Sequence, residues 1–330
     1  MERRSFITLL GGAAAAWPLA ARAQQKERLP RVDVLFAELN EDDPYYEGRL
    51  AAFVEALRGI GWIADRNLKL VIHRVTPRMV DIRKQIAEIL AARPDVVVTG
   101  GGTTTGPLLQ ATSSVPIVFT STVDPVGAGF VESLAQPGGN ATGFMQFDYS
   151  LSGKWLELLK QVSAAITRAG VIRDTATNSG IGQFAVIQSV ASTVGVDVVP
   201  INARDDGEIE RGIAKLVRSP KTGLIAASGA AVTGHRDFII NLAAQHRLPT
   251  VYVNRTWVDR GGLISYGPDL IASSRLAAGY VDRILKGTRP ADLPVQAPTR
   301  YELIINLKTA KTLGLELPAS LLARADEVIE

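Results

Sequence analysis

Arg93-Pro94-Asp95-Val96-Val97-Val98-Thr99-Gly100-Gly101-Gly102 decides the reading of this chain. The unbroken apolar run after Asp95 predicts a strand covered on both faces, as in a parallel sheet. The glycines predict a tight exit from that strand. One helical segment later, Val115-Pro116-Ile117-Val118-Phe119-Thr120 reads as a second buried strand. The same order recurs downstream. Ser219-Pro220 leads to Gly223-Leu224-Ile225-Ala226-Ala227-Ser228-Gly229-Ala230, and a helix later comes Leu248-Pro249-Thr250-Val251-Tyr252-Val253. Strand, small-residue loop, helix, x-Pro and strand therefore occur twice. The fold class that follows is α/β, with two Rossmann-like lobes of parallel strands around a central cleft. Ligands of open parallel sheets sit beyond the carboxyl ends of the strands, so loops of both halves are expected to line one cleft.

Outward from this core the alternation continues. Residues 31–36, 68–73 and 95–99 read as strands. Pro44 to Arg58 reads as a helix, with Leu50, Phe53, Val54 and Leu57 on one face. Pro77 to Ala92 reads as a second, with Ile82, Ile86, Ile89 and Leu90 inward. In the second half, residues 168–173, 196–201, 223–227 and 250–253 read as strands. The helices between them are placed at 150–164, 182–193, 207–218 and 232–246. Ala141 to Phe144 is taken as a first crossing between lobes, and Gly261-Gly262 before Leu263 to Tyr266 as a second.

The first residues have the three parts of a secretory leader: Arg3-Arg4, an uncharged stretch from Thr8 to Ala21, and Ala21-Arg22-Ala23 before Gln24. Paired arginines followed by Ser5-Phe6 fit the twin-arginine type. A membrane anchor is the other reading, but the stretch falls short of the ~20 apolar residues a bilayer span needs. The expectation is cleavage after Ala23 and a soluble periplasmic protein. The chain has no cysteine, which excludes disulfides, thiolate catalysis and a lipidated N-terminus. Its 36 basic and 33 acidic residues become 33 and 32 once Arg3, Arg4, Arg22 and Glu2 leave with the leader. A near-neutral chain has no electrostatic footprint for nucleic acid, and none is expected as a partner.

Catalytic motifs are absent: there is no His-Glu-x-x-His, no Gly-x-Ser-x-Gly and no phosphate loop. His73, His235 and His246 are isolated, so no metal and no cofactor is expected. An exported enzyme would need an acid/base cluster that the sequence does not offer. Gly101, Gly102, Thr103 and Thr104 form the strongest local site, because glycines admit a close ligand and a helix start favours an anion. An ordinary tight turn is the alternative. Ser228 and Gly229 occupy the equivalent loop of the second half. Leu39, Asn40, Thr120, Asp124, Asn178 and Asn254 end other strands and complete the candidate set, although Asp124 also suits a helix cap. Phe144 and Tyr266, and also Tyr45, Tyr46, Phe147 and Trp257, are aromatics near strand ends that can stack on a ligand or pack in the core.

The leader from Arg3 to Gln24 resembles that of a large bacterial family of ABC-transporter substrate-binding proteins. So do Pro116-Ile117-Val118-Phe119-Thr120, Asp124-Pro125, Gln136-Pro137-Gly138-Gly139-Asn140-Ala141-Thr142-Gly143 and Gly261-Gly262-Leu263-Ile264-Ser265-Tyr266-Gly267-Pro268-Asp269. The likeness runs on through Ala278 to Gly287 and Tyr301 to Lys311. It implies a type I periplasmic binding fold with three crossings, and a small-molecule ligand handed to an ABC permease in the inner membrane. It is similar to the branch that includes tryptophan-binding proteins, and the loops at Gly101 and Ser228 match that branch's ligand loops. Glu38-Leu39-Asn40-Glu41-Asp42-Asp43 and Asn254-Arg255-Thr256-Trp257 depart from the family pattern. The expected organisation is a leader over 1–23, a first lobe of 29–144 plus 266–288, and a second of 145–265 plus 289–330, in a monomer. A ligand-presenting sensory subunit is the alternative role, and a DNA-binding regulator would carry a helix-turn-helix where this chain has its leader.

Overall fold

A computed structural model describes residues 28–37 and 44–330. The expected leader and the loop of Leu39 and Asn40 lie outside those residues.

The first lobe is built from β1 (Arg31–Ala37), α1 (Pro44–Gly59), β2 (Lys69–Val75), α2 (Met79–Ala91), β3 (Val96–Gly100), α3 (Gly102–Ala111), β4 (Ile117–Thr122) and β5 (Ala141–Met145). Its five strands are all parallel, in the order β2-β1-β3-β4-β5. Alternate residues of β3 serve opposite faces: Val96 and Val98 join the core beneath α1, and Val97 joins the one beneath α2 and α3. That is why this strand reads as an unbroken apolar run.

The second lobe repeats the plan with α4 (Leu151–Val162), β6 (Arg168–Arg173), α5 (Asn178–Ala191), β7 (Asp197–Asn202), α6 (Asp206–Leu216), β8 (Thr222–Ala226), α7 (Ala230–Gly234), α8 (Arg236–Gln245), β9 (Thr250–Tyr252), α9 (Arg255–Val258) and β10 (Ile264–Pro268). Its order β7-β6-β8-β9-β10 is that of the first sheet, strand for strand. The chain returns to the first lobe through α10 (Leu270–Leu285), then closes with β11 (Tyr301–Asn306), α11 (Leu307–Leu313), α12 (Ala319–Leu322) and β12 (Glu327–Ile329). β11 pairs antiparallel with β10, and β12 lies parallel outside it.

Three segments join the lobes, and all three crossings differ from the expectation: residues 141–144, expected to cross, belong to β5 of the first sheet. The first follows β5, where Gln146 N–H donates to Thr122 and Asp124 N–H to Phe147. The second lies at Pro268–Asp269 rather than before Leu263, because Ile264 and Ser265 pair with β9 and the whole of β10 pairs with β11. The boundary expected at 265/266 thus falls inside a strand of the second sheet. The third comes after Gln296, not at 288/289. Leu293 accepts from Thr142 Oγ1 at 2.5 Å, and Gln296 N–H donates to Gly143, so residues 293–296 pack on the first lobe. The expected helix over 232–246 is broken at His235, whose ring pairs with Asp206 at 2.6 Å.

The repeat extends to its packing defects. Gly143 of β5 and Gly267 of β10 occupy the same strand of each sheet. An added Cβ would stand 2.0 Å from Phe119 O at Gly143 and 1.8 Å from Val253 O at Gly267. Each glycine lets the last parallel strand close on its neighbour just before the chain leaves the lobe. Forcing backbone apart costs about 1–3 kcal/mol. Gly143→Ala and Gly267→Ala are each expected to lower the melting temperature by several degrees. Unchanged melting of both variants contradicts this account of the crossings.

Candidate ligand cleft between the lobes

The carboxyl ends of both sheets meet across a cleft of about 570 Å³ of atom-free space, partly open to solvent. The first lobe supplies the end of β3 and the start of α3. Gly101, at φ +82°, turns the chain from strand to helix, and Thr103 faces the gap. The two threonines that follow point elsewhere. Thr104 Oγ1 donates back to Gly101 O at 3.3 Å, and Thr105 Oγ1 bonds Thr99 Oγ1 at 2.8 Å. Thr104 therefore holds the first turn of α3 and does not face the cleft.

Beside α3 stands Arg49 of α1. Its residue is 3% exposed, yet it lines the cleft. Nη2 donates to Thr120 Oγ1 at 2.9 Å, Nε donates to Ser274 Oγ at 3.3 Å, and the guanidinium lies over the Phe36 ring at 4.9 Å. Thr120 in turn donates to Thr99 O at 2.9 Å. The expected ligand residue Thr120 is thus a support for Arg49. Gly100 completes the cradle, because a Cβ there would meet the Phe36 ring at 2.4 Å.

Ser121 reaches the cleft through a break in β4. It adopts φ +54°, and the pairing with β5 slips between Thr120 and Thr122. Such bulges re-aim side chains next to sites, and this one turns Ser121 into the gap. Asp124, at φ +37°, accepts from Gly127 N–H at 2.8 Å and caps a turn outside the cleft.

The second lobe presents Ser228, Gly229, Thr177, Ser179 and Asn254. One buried amide sets Ser228 and Ser179. Gln183 Oε1 accepts from Ser228 N–H at 2.8 Å, and its Nε2 donates to Ser228 O at 2.8 Å and Ser179 O at 3.0 Å. Ser228 Oγ donates to Gln146 Oε1 at 2.9 Å, which ties this loop to the first crossing. Asn254 caps α9 through Thr256 N–H at 3.1 Å. Behind the loops lies Asp174, which accepts from the backbone N–H of Ala176 and Ala231. Burial pushes its carboxyl above the usual range, against those two bonds.

Of the sequence-predicted residues, Gly101, Gly102, Thr103, Ser228, Gly229, Asn254 and the aromatic Tyr46 line the cleft. Asn178 is exposed at the start of α5, with Thr177 and Ser179 turned inward instead. Phe144 packs on Tyr280 with ring centroids 4.8 Å apart, and Tyr266 packs on Tyr301 at 5.9 Å. Both aromatics serve cores and crossings. Arg49 and Gln146 escaped the sequence reading. Arg49 sits one residue before the apolar face of α1, a position that reads as solvated, and Gln146 follows a strand with no motif.

The profile of the family described as ABC transporter substrate binding protein matches residues 43–329, and the chain belongs to that family. It is 24% identical over 275 residues to a tyrosine-binding protein of Clostridioides difficile strain R20291, covering 83% of this chain and 79% of that protein. A conserved domain protein of Vibrio cholerae superposes with a TM-score of 0.84 at 26% identity, over 91% of this chain and all of the other. An ABC domain in complex with L-Trp from Streptococcus pneumonia superposes at 0.83 with 21% identity, over 92% of this chain and all of the other. The fold is that of type I periplasmic binding proteins.

Asp174 yields a pH prediction. Its raised folded-state value means that its contribution to stability is full below the ordinary carboxylate range and is lost as pH rises through the raised value. Asp174→Asn does not titrate. The variant is expected to gain melting temperature relative to the wild type between pH 4 and pH 8. A constant difference across that range contradicts the assignment.

Proposed function

We propose that this chain is the solute-binding component of an ABC importer, and that it closes its lobes over a small organic molecule bearing a carboxylate, amino-acid-like in size. The observation that carries the reading is the buried Arg49 guanidinium at the cleft wall, beside the start of α3 and opposite the hydroxyls of Ser179 and Ser228. A desolvated guanidinium and helix N–H groups both favour an anion. Relatives that bind tyrosine and L-Trp support an amino-acid-like ligand.

The leader-like start, with Arg3-Arg4 and Ala21-Arg22-Ala23, supports export and a periplasmic site of action. Among the described residues no helix is long and apolar enough to cross a membrane. In this reading the protein works as a monomer, passes its ligand to an inner-membrane permease and performs no chemistry on it. Closure would be a hinge motion about the three crossings.

A thermal-shift screen of amino acids and simple carboxylates tests the proposal. A ligand at about 100 times its dissociation constant adds about 2.7 kcal/mol of stability, a rise of several degrees. Ser228→Ala is expected to weaken the compound that gives this rise about tenfold. Absence of any shift across both classes contradicts the proposal.

A further inference from the structure

We propose that the cleft is the inner half of a longer site, and that the adjoining chamber between α2, α3 and the start of α5 holds an apolar arm of the same ligand. This rests on reading the cleft as the ligand site. The two spaces adjoin. Gly102, Thr103 and Val123 of the first lobe and Thr177 and Ser179 of the second line both.

Their sizes divide the work. Within the cleft's 570 Å³ of atom-free space only about 60 Å³ is open to the centre of a water-sized sphere, against about 350 Å³ in the chamber. Sites for small organic molecules run about 300–1,000 Å³. The inner space falls far below that range and alone takes a head group, whereas the chamber lies within it and has room for the rest of a ligand.

The chemistry changes between them. Inside stand Arg49, Gln146, Ser228 and Asn254. Outside stand Met79, Pro107, Ala128 and Phe130, with Arg83, Gln110 and Asn178 as polar groups among them. Phe130 is the centre of the apolar part. Cβ atoms added at Gly102 and Gly106 would stand 3.6 and 3.3 Å from its ring. Glycines four residues apart lie on one face of a helix, and here they seat the ring against α3. The ring stays partly exposed, as a surface for a second apolar group. The ligand class that fits is amphipathic, with an anionic or zwitterionic head and an aliphatic or aromatic arm.

The test is calorimetric titration with two series of growing arm length. One runs glycine, L-alanine, L-leucine, L-phenylalanine and L-tryptophan. The other runs acetate, propionate, 3-phenylpropionate and indole-3-propionate. In at least one series, the longest arm is expected to bind at least tenfold tighter than the shortest. Phe130→Ala, which removes the ring, and Ala128→Trp, which fills the chamber, are both expected to cut that ratio about tenfold. The two changes act oppositely on packing, and circular dichroism melting shows which variants are folded. If the wild type binds long and short arms equally, or if both folded variants keep the ratio, the chamber is no subsite and the head-group reading survives. If no probe of either series binds the wild type, the reading of the cleft fails and the chamber fails with it.

Discussion

Burying a guanidinium costs several kcal/mol unless hydrogen bonds and favourable charge offset it, and Arg49 imposes that requirement on much of the first lobe. Thr120 and Ser274 accept from it, the latter from a helix that arrives after two crossings between lobes. Phe36 offers its ring face. Gly100 has no side chain because Phe36 needs the space. Four elements are thereby fixed around one charge, and the charge is fixed at the wall of the cleft.

The second lobe solves the complementary problem with a neutral group. Gln183 holds the backbone of Ser228 and Ser179 and also donates to the Ser179 hydroxyl at 3.2 Å, which fixes both residues at the cleft. Ser228 then reaches Gln146 on the first crossing. The loop that lines the cleft is thus bonded to a segment on which the lobes would pivot. In the proposed function, a ligand contact at Ser228 and a closure of the lobes would act through the same few atoms.

The repeat was legible because burial on both faces leaves a mark that alternation does not. The apolar runs at Val96–Val98 and Leu224–Ala227, each with glycine after it and x-Pro one helix later, predicted two equivalent sheets, and the strand orders agree. Gly101, Gly102, Ser228 and Gly229, which follow those runs and face the cleft, were legible for the same reason. What escaped is long-range. Nothing near Ser121 announces a slip in pairing, because β5 imposes it. Thr104 reads like a donor to a ligand, but helix geometry turns it onto Gly101 O, as it turns Thr105 onto Gly101 O and Thr99. The crossing at Pro268 escaped because β11, which pairs with all of β10, lies more than 30 residues further on.

The central claim is that Arg49 meets a negative charge on the ligand. A titration cycle measures this most directly: wild type and Arg49→Gln, each against the best carboxylate from the screen and its neutral carboxamide. A hydrogen bond to a charged group contributes about 1.5–3 kcal/mol. The account predicts that Arg49→Gln loses about ten- to a hundredfold in affinity for the carboxylate and little for the carboxamide. Equal losses for both compounds, or none for either, would contradict it.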